Sequence, residues 1–150
     1  MESNGSQISL RTVAPVLRTA EAFFFILFAR LALSIIPFHH LATFMSLPTG
    51  KPELGGQKRR EVRQEVKLSI FGAWRRMRFH NTCLHRALAA QAMLRRRGIS
   101  TVLYYGAKTL TDRGLTGHVW LQDGSECIVG EQVAKGYHPL VRYPAGDAVN

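Results

Sequence analysis

The chain is short of acid. Its 150 residues hold 10 Asp+Glu against 20 Lys+Arg, a formal net charge of +10. That imbalance disfavours a cationic partner. It suits an acidic peptide, a nucleic acid or anionic lipid, or simply a soluble basic surface. Cysteine is scarce as well. Cys83 and Cys127 allow one disulfide at most, so no disulfide framework holds the fold. No signal-peptide pattern opens the chain, and the reading is free thiols in a reducing cytoplasm. No apolar run reaches the ~20 residues of a membrane span, because the run from Ala22 to Pro37 is shorter and holds Arg30. There is no glycine-rich phosphate loop, paired-carboxylate motif, internal repeat or low-complexity segment. Phosphate-cradle and paired-carboxylate chemistry therefore have no signal here.

What is present is enough apolar residue, 46%, for one folded domain with a modest core. Residues 1–50 read as an N-terminal apolar helical segment and 51–150 as the core, together one compact unit. Met1 to Leu10 is polar and reads as loose. Pro15 to Phe38 is apolar around Phe23-Phe24-Phe25-Ile26-Leu27-Phe28, with Arg18, Glu21 and Arg30 as a charged edge. Its first reading is a helix that is buried or faces a partner, its second an interfacial membrane helix, and its third a true span. Pro37 stops it, since its ring cannot continue the helical bonding. A short helix follows over His39 to Met45.

Leu47 to Gln57, with two prolines and three glycines, reads as a loop. A helix is predicted from Lys58 to Met77. Val62, Val66, Ile70 and Trp74 recur every four residues with Phe71 beside them, as a core stripe. The interleaved Arg59, Arg60, Arg63, Lys67, Arg75, Arg76 and Arg78 read as a solvated basic face, with no nucleic-acid partner expected. The next helix is the best defined. Asn81 or Thr82 caps it and Leu84 to Leu94 forms an Ala/Leu-rich body. Arg95-Arg96-Arg97 suits its negative end, and Gly98 closes it in a left-handed turn. Three strands are predicted after it, at Thr101 to Gly106, Thr116 to Gln122 and Ser125 to Gly130, the last two joined at Asp123-Gly124. Helices followed by an antiparallel sheet make an α+β fold.

Cys83 falls at the start of the best-defined helix and His118 in the second strand. Free N–H groups and the helix dipole favour a thiolate at a helix start, and a nearby imidazole can exchange its proton. If Asp123-Gly124 is a two-residue turn, His118 faces Val129. Glu131 then lies diagonally beside it as the acid of a Cys83–His118–Glu131 triad. Asp123, about 16 Å along the strand from His118 and of opposite parity, is the poorer acid. Cys127 reads as a core thiol, and Trp120 as a shield or substrate-side wall of the site. Cys83 and His118 each have a plainer reading, as a small buried thiol and a satisfied core histidine. Cys83, His85, His118 and Cys127 match no standard metal spacing, so no metal is expected.

Four segments carry a resemblance: Cys83-Leu84-His85-Arg86-Ala87-Leu88-Ala89, Met93 to Gly98, Gly117-His118-Val119-Trp120-Leu121 and Ile128-Val129-Gly130-Glu131. In order and spacing they resemble the leader peptidases of lasso-peptide biosynthesis, a family of transglutaminase-like cysteine peptidases. The resemblance covers about Arg60 to Arg142. It implies a transglutaminase/papain-like core, a Cys-bearing helix packed on a small antiparallel sheet. It also implies removal of the leader from a ribosomally made precursor peptide before a partner lasso cyclase closes the macrolactam. Matched by motif, Cys83 is the nucleophile, His118 the base and Glu131 the acid, with no cofactor. The segment before Leu47 has no β-rich stretch, which points to the split form of the family that relies on a separate leader-recognition protein. Two other readings compete: an acyl- or amide-transferring enzyme of the same fold, and a non-catalytic basic adaptor. The adaptor would bind an acidic partner or a membrane surface through Phe23 to Phe38.

Overall fold

The computed structural model describes residues 4–48, 50–78, 82–110, 114–134 and 136–145. Four helices come first: α1 Asn4–Ile35, α2 Phe38–Ser46, α3 Gly56–Arg76 and α4 Cys83–Arg95. Then follow β1 Val102–Leu110, β2 Gly114–Asp123, β3 Glu126–Val129, the short helix α5 Glu131–Ala134, and β4 His138–Tyr143. The strands form one antiparallel sheet in the order β3-β2-β1-β4. Leu103, Val119 and Leu121 share one face of it and join residues of α1, α3 and α4 in a single core. The α+β class and the Cys-bearing helix packed on a small sheet are as the sequence led us to expect.

The N-terminal helix is longer than expected. It starts at Asn4, within the segment that reads as loose, and ends at Ile35, two residues before Pro37. Ala22, Ile26 and Ala29 are buried at i, i+4 and i+7, the spacing of one helical face. Small Ala87, Ala89 and Ala90 let neighbouring helices approach α4 closely, and all three are 0–1% exposed. On α3 the buried series is Val62, Val66, Ser69, Ile70 and Ala73. The four-residue stripe drifts about 40° per step against the 3.6-residue turn. Trp74 and Phe71 have therefore rotated off the core and are exposed, and Ala73 is buried in their place.

α4 closes as expected. Gly98 lies at φ 73, its N–H donates to Arg95 O, and that of Ile99 donates to Leu94 O. Buried Ile99 and Leu94 complete this paired-bond stop.

The charges of α3 are not a free basic face. Arg59, Arg63 and Lys67, four residues apart, reach the β2–β3 hairpin and pair with Asp123, Glu126 and Glu131. Asp123 is 6% exposed, with Arg59 donating at 2.6 and 2.8 Å and Arg63 at 3.0 Å. It is a structural anchor. Across the molecule, Glu21 of α1 binds Arg96 and Arg97 at the end of α4.

Two strand details correct the sequence reading. β4 lies beyond the three strands predicted; it is an edge strand, where the missing N–H of Pro139 is tolerated. In the hairpin the loop is Gly124-Ser125, with Asp123 opposite Glu126 and Gln122 opposite Cys127. A bulge between Leu121 and Gln122 then sets Leu121 opposite Val129. Val129 therefore does not face His118, and the diagonal placement of Glu131 fails. β3 ends at Val129, Gly130 turns at φ 92, and Glu131 opens α5.

Candidate active site

Cys83 is the first residue of α4. Thr82 precedes it with extended backbone, φ −89 and ψ 169. The cap is Thr82; the alternative, Asn81, lies outside the described residues. Its backbone N–H donates to His85 Nδ1 at 3.0 Å, which closes the helix start with an imidazole where a glutamate is more usual. An accepting Nδ1 makes His85 neutral. Burial, with the charge of Arg30 added, also holds it below the ordinary 6.5. Half-buried Cys83 is a free thiol at this helix start, where the peptide dipoles favour negative charge.

His118 is 8% exposed on β2. Val119 and Leu121 point into the helical core, so His118 and Trp120 take the opposite parity. The imidazole Nε2 lies 3.3 Å from the carbonyl oxygen of Gly130, and the Tyr137 ring lies 5.2 Å from it, centroid to centroid. Burial holds His118 below 6.5; the Gly130 carbonyl opposes this and the charge of Arg86 reinforces it. The ring is therefore neutral at pH 7 and able to accept a proton. Trp120 is 5% exposed and stacks on Tyr104 at 5.4 Å. It backs the histidine as a wall and offers little surface to a substrate.

No hydrogen bond joins Cys83 to His118 among the described residues, nor Glu131 to His118. Glu131 is exposed, and its carboxylate accepts from Lys67 at 3.2 Å. The same ammonium also reaches the carbonyl of Cys127 at 3.2 Å. Arg86 lies one turn after Cys83 on α4. Burial pushes its guanidinium down while the charge of Cys83 pulls the other way, and its own charge is felt at His118. Arg86 lies over the Trp74 ring at 4.7 Å, so the aromatic that left the α3 core holds the cation of the site. The sequence reading gave Arg86 and Gly130 no role. Arg86 could have been found from its i+3 spacing to Cys83, and Gly130 from a lone glycine at a strand end.

Cys127 is a different thiol. It donates to the Val129 carbonyl at 3.3 Å. Burial, with the Glu131 charge beside it, pushes it up to about 11 against the pull of Lys67. Such a group is protonated and inert at neutral pH. Among the described residues no three His, Cys, Asp or Glu side chains gather as a metal set.

A helix-borne cysteine, a strand histidine further along and a helix-on-sheet core define a transglutaminase-like protein. A model of the transglutaminase-like superfamily matches residues 25–142, and the chain belongs to that superfamily. This core is the one found in the stand-alone B-type leader peptidases of lasso-peptide biosynthesis. No curated protein and no solved structure matches the chain.

Proposed function

We propose that the protein is a cysteine peptidase that removes the leader from a lasso-peptide precursor before a partner cyclase closes the macrolactam. The observation that carries this reading is Cys83 at the first position of α4 in a transglutaminase-like core, with His118 on β2 oriented by the Gly130 carbonyl. With Nε2–H donating to Gly130, Nδ1 is the ring nitrogen left to exchange a proton, and bringing it to Cys83 from the other parity of β2 takes a reorientation on substrate binding. The thiolate adds to the scissile carbonyl carbon, and the backbone N–H of Cys83 is the natural first donor to the oxyanion. The imidazolium protonates the leaving amine, which departs with the core peptide and leaves the leader as a thioester. Water then adds to the thioester as His118 takes its proton, and the leader leaves as a carboxylate. Gly130 and Glu131 together fill the third role of the triad. The Gly130 carbonyl orients the ring, while the Glu131 carboxylate is held by Lys67 and acts on the ring only through the Gly130 turn that it follows. A separate leader-recognition protein delivers the precursor.

The test is precursor cleavage followed by mass spectrometry. Cys83→Ala is expected to abolish cleavage with the fold intact, and His118→Ala to be comparably damaging, because such groups act as a unit. Cys127→Ser keeps most activity, and Glu131→Gln loses less than Cys83→Ala. Cleavage at the wild-type rate by Cys83→Ala ends the proposal.

A further inference from the structure

A hollow beside α4 lies away from Cys83. It has a volume of about 420 Å³, sits among α1, α2 and α4, and is walled by Phe25, Phe28, Met45, Leu88 and Ala92. That volume is within the range of about 300–1,000 Å³ usual for ligand sites. Ala29, Leu41 and Pro48 complete the apolar lining, and its charged residues are all cationic: Lys51, Arg95 and Arg96. These groups are held in place. Lys51 Nζ donates to Arg96 O at 2.9 Å, and Arg95 Nε to Leu47 O at 3.2 Å. The Arg95 guanidinium lies over Phe44 at 5.4 Å, and that of Arg96 over Phe25 at 5.6 Å. Glu21 pairs with Arg96 and with Arg97. Apolar walls edged by fixed cations fit a ligand with an apolar body and a negative charge beside it.

The same helix carries this pocket and the nucleophile. At about 1.5 Å per residue, Leu88 lies ~8 Å and Arg95 ~18 Å along α4 from Cys83, and Leu88 is turned roughly 140° around the axis. At about 3.3 Å per extended residue, roughly four to six residues of peptide join the two places. We propose that this pocket is an exosite for the precursor peptide, which seats a segment pairing apolar with acidic side chains so that the bond a few residues away is presented to Cys83. The identity of the peptide rests on the peptidase reading; binding in the pocket does not. An anchored segment raises the effective concentration of the scissile bond without any new contact at the reacting atoms.

Binding is measured first, with full-length Cys83→Ala protein, so that it is independent of catalysis. The probes are fluorescein-labelled decapeptides alternating leucine with glutamate, leucine with lysine, and alanine with glutamate. The leucine–glutamate peptide is expected to bind at least tenfold more tightly than the other two. Ala92→Phe, which fills the pocket, and Arg95→Glu, which reverses its edge, each remove that preference. Phe28→Ser, at a half-exposed wall position, is the second wall variant should Ala92→Phe fail to fold. In the active enzyme the same changes raise KM for the long precursor at least tenfold and leave a short peptide spanning only the scissile bond unaffected. Equal binding of the three peptides, or undiminished preference in the folded variants, overturns the exosite. So does displacement of the leucine–glutamate peptide by phosphatidylglycerol vesicles or decanoate at lower concentration than by the precursor, which makes the pocket a lipid site. Preserved binding with no cleavage by wild-type protein overturns the peptidase reading alone.

Discussion

The imidazole Nε2 of His118 stands 3.3 Å from the carbonyl oxygen of Gly130, and Gly130 holds that position at a φ of 92. The residue that turns the chain out of β3 is thus also the one that orients the histidine. A β-carbon at Gly130 would lie 2.8 Å from Trp120 Cβ and 3.0 Å from His118 Nε2. The left-handed backbone adds strain of about 1–3 kcal/mol for a non-glycine residue.

Gly130→Ala is therefore expected to lower kcat/KM at least tenfold and to lower the melting temperature. In wild-type protein, ¹⁵N spectra should show His118 protonated at Nε2. A dominant Nδ1–H tautomer would contradict this account of the site, as would a Gly130→Ala enzyme of unchanged activity.

Arg86 makes a pH prediction. His118 is held below 6.5 by burial, and the Arg86 charge adds to that lowering. The base is competent above its folded pKa, so activity should fall on the acid side only below pH 6.5. Arg86→Gln removes one of the lowering causes and should move the acid limb of kcat/KM to higher pH. An unmoved limb means that Arg86 acts only by packing on Trp74.

The helix boundaries near the chemistry were legible because local signals agree there. Thr82, the Ala/Leu body and Gly98 each favour the same helix, and the order Cys83 then His118 follows from them. The long-range geometry was not legible. A bulge between Leu121 and Gln122 leaves no mark in side-chain alternation, yet it decides what stands opposite His118. The place of Pro139 in β4 was not legible either, because edge status is a property of the assembled sheet. The pairing of Arg59, Arg63 and Lys67 with the hairpin acids depends on a packing of α3 against β3 that a charge count cannot contain. The polar start of α1 looks loose, since Asn4-Gly5-Ser6-Gln7 has weak intrinsic helix propensity.

Asp123 of the hairpin and Glu21 of α1 set the acid stability. Burial alone would raise Asp123, but the hydrogen bonds and charges of Arg59 and Arg63 hold it below its ordinary 3.8. Burial would likewise raise Glu21, yet Arg97, Arg96 and Arg18 hold it below 4.5. Both carboxyls have depressed folded values. Their contribution is complete above the unfolded values and is lost as pH falls through the folded ones. Unfolding free energy should therefore decline below about pH 5. Asp123→Asn and Glu21→Gln should each flatten that slope and cost stability at pH 7. Asp123→Ala, which takes one carboxylate from two arginines that keep Glu53 and Glu126, should cost about 1–3 kcal/mol. Denaturant titrations from pH 3 to 7 check this, and an Asp123→Asn slope equal to wild type would contradict it.

The last prediction concerns the outer side of α1. Leu17, Phe24 and Leu31 recur every seven residues with Phe28 and Ile35 beside them, and all five are exposed, Ile35 at 84%. The opposite face, Ala22, Ile26 and Ala29, already fills the core, so one helix carries two apolar stripes and only one is covered by this chain. An apolar stripe of that length on a protein of this charge marks an interface. No helix among the described residues is long and apolar enough to cross a membrane. The occupant we expect is the separate leader-recognition protein of the proposed function, since the stripe runs beside the pocket that would seat the leader. Phe24→Asp and Leu31→Asp lie outside that pocket and outside the Cys83 site. They should leave cleavage by this chain alone unchanged while removing most of the acceleration that the recognition protein gives. Cleavage assays with and without that protein, on full-length precursor and on core-only peptide, separate the cases. Full acceleration in the double variant would place the recognition protein elsewhere. Full-rate, leader-specific cleavage by this chain alone would mean that no second protein is needed to read the leader.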